Sequence, residues 1–308
     1  LGPYKESTDR ATRRAALEAE GGFFDEHREE FDSLFSQLVK NRTEQAKKLG
    51  FESFVELGAL RRQRNCYSPA DIARFRDDVV RDLVPLTMRL KERQACRLGI
   101  SDFQFWDNAL KFRDGSAAPQ GSPEEILAAG KKMYAELSPE TAEFISLMFE
   151  NGLFDVLAKE GKAPGGYCTG LEDYGYPFIF SNFNSTSGDV DVLTHEAGHA
   201  FADYTATKTV PVHALRCPTM EGAETHSMSM EFLTAPWHHL FFGPQTEKYE
   251  LSHAEDALLF IPYGCLVDHF QEEVYRHPEM TPEERNALWL RLEKRYRPYL
   301  DFGELPFY

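Results

Sequence analysis

No stretch of this chain stays apolar for the roughly 18 residues that a helical membrane span needs. It also contains no CxxC pair. Its five cysteines (Cys66, Cys96, Cys168, Cys217 and Cys265) are scattered and odd in number. That pattern argues against a disulfide framework, fits reduced thiols in a cytosol, and makes a cytoplasmic setting the expectation. Basic charge is short. Lys plus Arg number 34 against 50 Asp plus Glu, a formal net charge of −16. Such a balance disfavours nucleic acid as a partner and disfavours anionic membrane surfaces. The first residues lack an initiating Met and a signal-like apolar core, so the chain reads as one that begins mid-protein. There is no internal repeat and no low-complexity tract. The Gly-rich stretch 161–170 lacks the Lys-Ser/Thr ending and the flanking strand of a phosphate loop, so nucleotide binding is not expected there.

What is present is enough for a real core: 42% of the 308 residues are hydrophobic and 13% aromatic, in one large or two ordinary domains. Residues 5–47 carry an apolar stripe at helical spacing, marked by Phe23, Phe24, Phe31, Leu34, Phe35 and Leu38. Gly21-Gly22 is expected to break it, and Gly50 to stop it. A short helix follows from Ser53 to about Leu60. Ser68-Pro69 opens another that runs to about Cys96, with a kink or break at Pro85. The aromatic run 101–107 reads as a short docking segment. Ser122-Pro123 and Ser138-Pro139 open helices to about Leu137 and Gly152. Residues 177–183 alternate and are β-prone, hence a strand. Downstream lie helices near 219–235, 247–276 and 282–297. The fold class is mainly α with a small β element.

The most informative residues are His195-Glu196-Ala197-Gly198-His199. On a helix, positions i and i+4 share one face a turn apart, so both imidazoles can reach one metal ion. Glu196 lies beside them, placed to take a proton from a water at that metal. This is the HExxH arrangement of zinc hydrolases. Thr186 followed by Asp189 fits a capping box at the helix start. Val190, Leu193, Ala197, Ala200, Phe201 and Tyr204 continue it at helical spacing. Without a CxxC to close a structural shell, a catalytic site with one open position fits better.

Catalytic zinc takes a third protein ligand. Ala202 and Thr205 stand where a metzincin would have Gly and His, which excludes that class. A Glu on a following helix is the other common solution. Glu224 is the ligand favoured here, Glu221 the substitute one turn earlier, and Glu231, seven residues on, the partner to a ligand histidine. His226 falls on the wrong face for a ligand. A strand followed by a turn and the metal helix places an edge strand beside the metal, where an extended peptide can be held by main-chain hydrogen bonds. Gly165, Gly166, Tyr167, Phe180 and Asn182 are the candidates for lining it.

The run 178–201 (FIFSNFNSTSGDVDVLTHEAGHAF) closely resembles the M3 oligopeptidases of the oligoendopeptidase F-like group. So does ETHSMSME at 224–231, in which the family's first Glu completes the zinc site. GGYCT at 165–169 and the helices before it are also similar. The resemblance spans most of the chain. It implies a zincin-type metallopeptidase domain, mostly helical with a deep channel, binding one Zn2+ per chain and cutting internal bonds of short peptides. His195, Glu196, His199 and Glu224 carry over residue by residue. Residues 1–160 would then form a channel wall, and 161–308 the zinc-binding catalytic region. Family members are typically longer, and their His and Tyr group that binds the substrate carbonyl would fall beyond Tyr308. The alternative to an active endopeptidase is therefore a zinc-retaining but inactive peptide-binding remnant or fragment.

Overall fold

The structure is a computed structural model that describes residues 1–303 and 305. Helices dominate, and they start where side chains satisfy the free N–H groups of the first turn. Reciprocal capping boxes join Ser53 to Glu56, Ser68 to Asp71, Ser122 to Glu125, Ser138 to Thr141 and Thr281 to Glu284. In four of these helices a proline occupies the first turn, where it has no hydrogen bond to lose.

Two compact units divide the chain at 115/116 and 251/252. The first holds the helices Arg10–Glu26, Arg28–Lys48, Phe54–Arg61, Pro69–Asp78 and Val84–Leu98, most of Thr246–Arg276, and Pro282–Tyr296. Its core includes Val39, Ala46, Leu57, Leu266, Val274, Leu288 and Tyr296. Gly21-Gly22 does not break the first stripe; the helix runs through both and ends at Glu26. Gly21 is buried, and packing there outweighs a propensity cost of about 1 kcal/mol per glycine. The expected interruption at Pro85 takes the form of a π-helical turn, Val79–Leu83, just before Pro85. In the 101–107 segment Asp107 is fully buried and accepts from Arg13 at 2.6 Å and Arg10 at 2.7 Å.

The second unit packs the helices Pro123–Leu137 and Pro139–Glu150, a three-stranded sheet, and the helices Gly188–Thr209 and Ala223–Leu233. We call the last two the histidine helix and the glutamate helix. The strands are β1 (Phe154–Leu157), β2 (Tyr167–Leu171) and β3 (Tyr176–Phe183), in the order β1-β3-β2. β1 lies parallel to β3, and β2 antiparallel, with Tyr167 opposite Phe180 and Leu171 opposite Tyr176. β3 alternates as its sequence predicts, burying Pro177, Ile179, Ser181 and Phe183. It is the central strand, however, not the expected edge. The edge on one side is β2, formed from the Gly-rich stretch that composition alone marks as flexible. The core, with Met133, Phe144, Ile145, Ile179, Val190 and Leu193, backs the histidine helix on its inner face.

Candidate metal centre and catalytic site

The start of the histidine helix differs from the expected capping box. Ser187 stands at the N-cap with no side-chain bond. Asp189 instead accepts from the N–H groups of Asn184 and Ser185, each at 2.8 Å. Asn184 Oδ1 in turn accepts from the Thr186 N–H and hydroxyl. A turn at Ser185, with φ +67°, makes this possible. The connection from β3 into the helix is thereby fixed by side chains just before the histidines.

Gly198 decides how close the glutamate helix comes. A Cβ there would lie 2.6 Å from Ser227 Cα, 3.0 Å from His226 O and 3.1 Å from Met230 Cβ. No side chain fits, so the two backbones approach as only glycine permits. That contact lays Glu224, His226 and Glu231 of the glutamate helix against the two histidines. His195 Nε2 stands 2.9 Å and His199 Nε2 3.1 Å from the same oxygen, Glu224 Oε2. His195 Nδ1 donates to Glu231 Oε1 at 2.7 Å. His199 Nδ1 and His226 Nε2 share a hydrogen bond at 3.0 Å. The Ser227 hydroxyl donates to Glu224 Oε2 at 2.7 Å.

His195, His199 and Glu224 each offer one ligand atom, and all three lie within 4.8 Å of one another. Ligand atoms around a tetrahedral zinc at bonds of about 2.0–2.1 Å stand about 3.3 Å apart. The observed 2.9 and 3.1 Å are within a few tenths of that. Two imidazoles and one carboxylate, each oriented by a further hydrogen bond, are a donor set that suits zinc and leaves one position open. Glu221 precedes the glutamate helix and is not among the three.

Glu196 is buried, on the face of the histidine helix that packs against β2 near Cys168. Burial pushes this carboxyl above the usual range, His195 pulls it down, and Glu224 adds to the rise. The Glu231 hydrogen bond raises His195, whereas burial lowers His199 and His226. Burial would raise Glu224 too, but Ser227 and the two histidines together hold it below its ordinary value.

The other candidates fall around β2. Tyr167 is exposed and stacks on Phe180 at 4.9 Å, with the rings 18° from parallel. Gly166 abuts the histidine helix: a Cβ there would come within 2.9 Å of Val192 Cγ1. Asn182 donates to the carbonyls of Ala163 and Gly165 at 2.9 Å each. Lys162 ties the same loop by donating to the carbonyls of Asp155, Leu157 and Ser181. Sequence reasoning missed His226 and Ser227, whose places depend on how two helices cross.

The model of peptidase family M3 matches residues 3–302. The structure of PZ peptidase A with inhibitor 2 is 50% identical with a TM-score of 0.95, covering 98% of this chain and 53% of that one. A structure of a putative oligoendopeptidase F is 48% identical with a TM-score of 0.97, covering 99% and 54%. A putative oligoendopeptidase F from Bacillus anthracis str. Ames is 47% identical with a TM-score of 0.93, covering 99% and 56%. No curated protein matches at a significant level. The chain thus spans about half the length of the structures it matches. With a match over nearly its whole length and a mainly helical fold shared with these relatives, the chain belongs to peptidase family M3.

Proposed function

We propose that the chain carries the metal site and general base of a zinc endopeptidase that hydrolyses internal bonds of short peptides. The observation that carries this reading is the meeting of His195 Nε2, His199 Nε2 and Glu224 Oε2, with Glu196 one residue along the helix. Zinc bound to these three would supply Lewis acidity, lowering the pKa of a water and polarising the scissile carbonyl. Glu196 points about 100° around the helix from His195. Its carboxylate takes a proton from the attacking water and passes it to the leaving amine nitrogen, so the C–N bond breaks as water adds across it. Glu231 and His226 hold the imidazoles with their Nε2 atoms facing the centre.

The substrate reading rests on β2. Its outer edge carries the Cys168 amide, and backbone groups two residues either way, on Gly166 and Gly170, face the same side. An extended peptide can pair with such an edge. The test is a digest of a defined mixture of short peptides, read by mass spectrometry with and without a chelator. Internal cleavage that is lost on chelation and restored by zinc is expected. Release of single terminal residues alone would contradict it. Because the chain spans about half of its matched structures, a second reading is a module that holds zinc and peptide without hydrolysis. Peptide binding with no cleavage by the zinc-loaded protein would select it.

A further inference from the structure

Well apart in sequence from the residues above, the first compact unit contains a cleft of about 280 Å3 lined by Arg42, Arg61, Arg62, Arg64, Tyr67 and Tyr275. Four guanidiniums around one small space are unusual in a chain of net charge −16. Two carboxylates share the wall, Asp268 and Glu272, but both are already matched. Asp268 accepts from Arg76 at 2.9 Å, and Glu272 accepts from Arg76 at 2.6 Å and Arg276 at 2.7 Å. Neither Arg76 nor Arg276 lines the cleft. Arg64 shares Asp268 at 3.6 Å. Arg42, Arg61 and Arg62 therefore leave the cleft with a surplus of positive charge.

The arginines are held by rings and turns. The Arg42 guanidinium stands 5.4 Å from the Phe54 ring, with Arg61 6.0 Å from the same ring. Arg42 also donates to the Tyr275 hydroxyl at 2.6 Å. Arg64 lies 5.6 Å from the Tyr67 ring. Arg62 Nε is enclosed by protein and has no hydrogen-bond partner among the described residues. The loop that brings these residues together turns on Gln63 at φ +58°. A closure more often made by glycine is made there by a bulky residue, with Gln63 N–H donating to Leu60 O and Arg64 N–H to Ala59 O. Like charges gathered in one cleft repel, and a bound anion relieves that cost.

We propose that this cleft binds a small phosphate monoester bearing a planar ring. The dianionic phosphate balances the surplus and matches the forked donors of Arg62 and its neighbours. The exposed Tyr67 ring receives the planar ring of the ligand. The volume is near the low end for small-molecule pockets, about 300–1,000 Å3, which favours a ligand of one ring and one phosphate. This inference is independent of the peptidase reading.

Isothermal titration of the full chain with phenyl phosphate tests it, with inorganic phosphate, benzoate and phenol as comparison probes. Saturable one-to-one binding is expected, tighter for phenyl phosphate than for the other three and weakened by salt. Arg62→Gln should weaken it about tenfold or more, as loss of a charge-assisted hydrogen bond does. Arg61→Gln, at an exposed position, should weaken it as well and decides the matter if the Arg62 variant does not fold. Arg14→Gln, a control at an exposed arginine over Trp106, should leave it unchanged. No saturable binding at millimolar phenyl phosphate would overturn the proposal. So would equal affinity for inorganic phosphate, or affinity unaltered in the Arg61 and Arg62 variants.

Discussion

At the scale of single residues, the proposed roles separate groups that hold a metal from the group that moves a proton. Glu196→Gln keeps shape and removes the proton acceptor. Peptide hydrolysis should fall by about 10²–10⁴ with zinc still bound; turnover near wild type in the zinc-loaded variant would remove Glu196 from the mechanism. His226 is different. It touches His199, not the metal position, so His226→Phe should lower zinc affinity by about 10–100-fold. Competition with a chromophoric chelator reads that shift. Much of this centre was legible because helix geometry is fixed. Spacings of four and seven put His195 with His199 and Glu224 with Glu231 on common faces. His226 was not legible as a partner. Two residues from Glu224 it is turned well around its own helix, and only the crossing with the histidine helix brings it to His199.

At the scale of elements, the close crossing is the testable feature. Gly198→Ala drives a Cβ to 2.6 Å from Ser227 Cα, a backbone atom that cannot step aside. Parting the helices should cost about 1–3 kcal/mol of stability and weaken zinc retention together, since Glu224, Ser227 and Glu231 move as one. Gly22→Ala is the contrast: nothing lies within 4 Å of a Cβ there, and its helix should gain about 0.5–1 kcal/mol. Urea denaturation of the two variants distinguishes a packing glycine from an incidental one. Local signals located most helices, because Ser or Thr followed by Pro is at once a cap and a first turn. They failed where tertiary contact competes. Gly21-Gly22 stays helical under packing, Asp189 serves the preceding turn instead of Thr186, and the Gly-rich stretch acquires strand β2 through pairing with β3.

At the scale of the whole molecule, the compact units divide near 115 and 251, whereas the sequence reading divided the chain between 160 and 161. Long-range packing of the last two helices with the first five produces that division, and no local signal records it. Stability should also carry the mark of Lys91, which is buried and donates to Gln94 Oε1 at 2.8 Å. Burial, with Lys111 nearby, brings its pKa down to about 7 from 10.5. Between these values the unfolded chain binds more protons than the folded one, so stability from this group rises with pH from about 7 to 10.5. Lys91→Met should be more stable than wild type by about 1–3 kcal/mol near pH 6.5, with the gain shrinking toward pH 10; urea midpoints across that range check it. The central claim is that His195, His199 and Glu224 together hold one zinc while Glu196 does not. Elemental analysis of dialysed wild type, Glu196→Gln, Glu224→Gln and His199→Ala tests it most directly. The account predicts near one zinc per chain in the first two and marked loss in the last two; full zinc in Glu224→Gln or His199→Ala would contradict it.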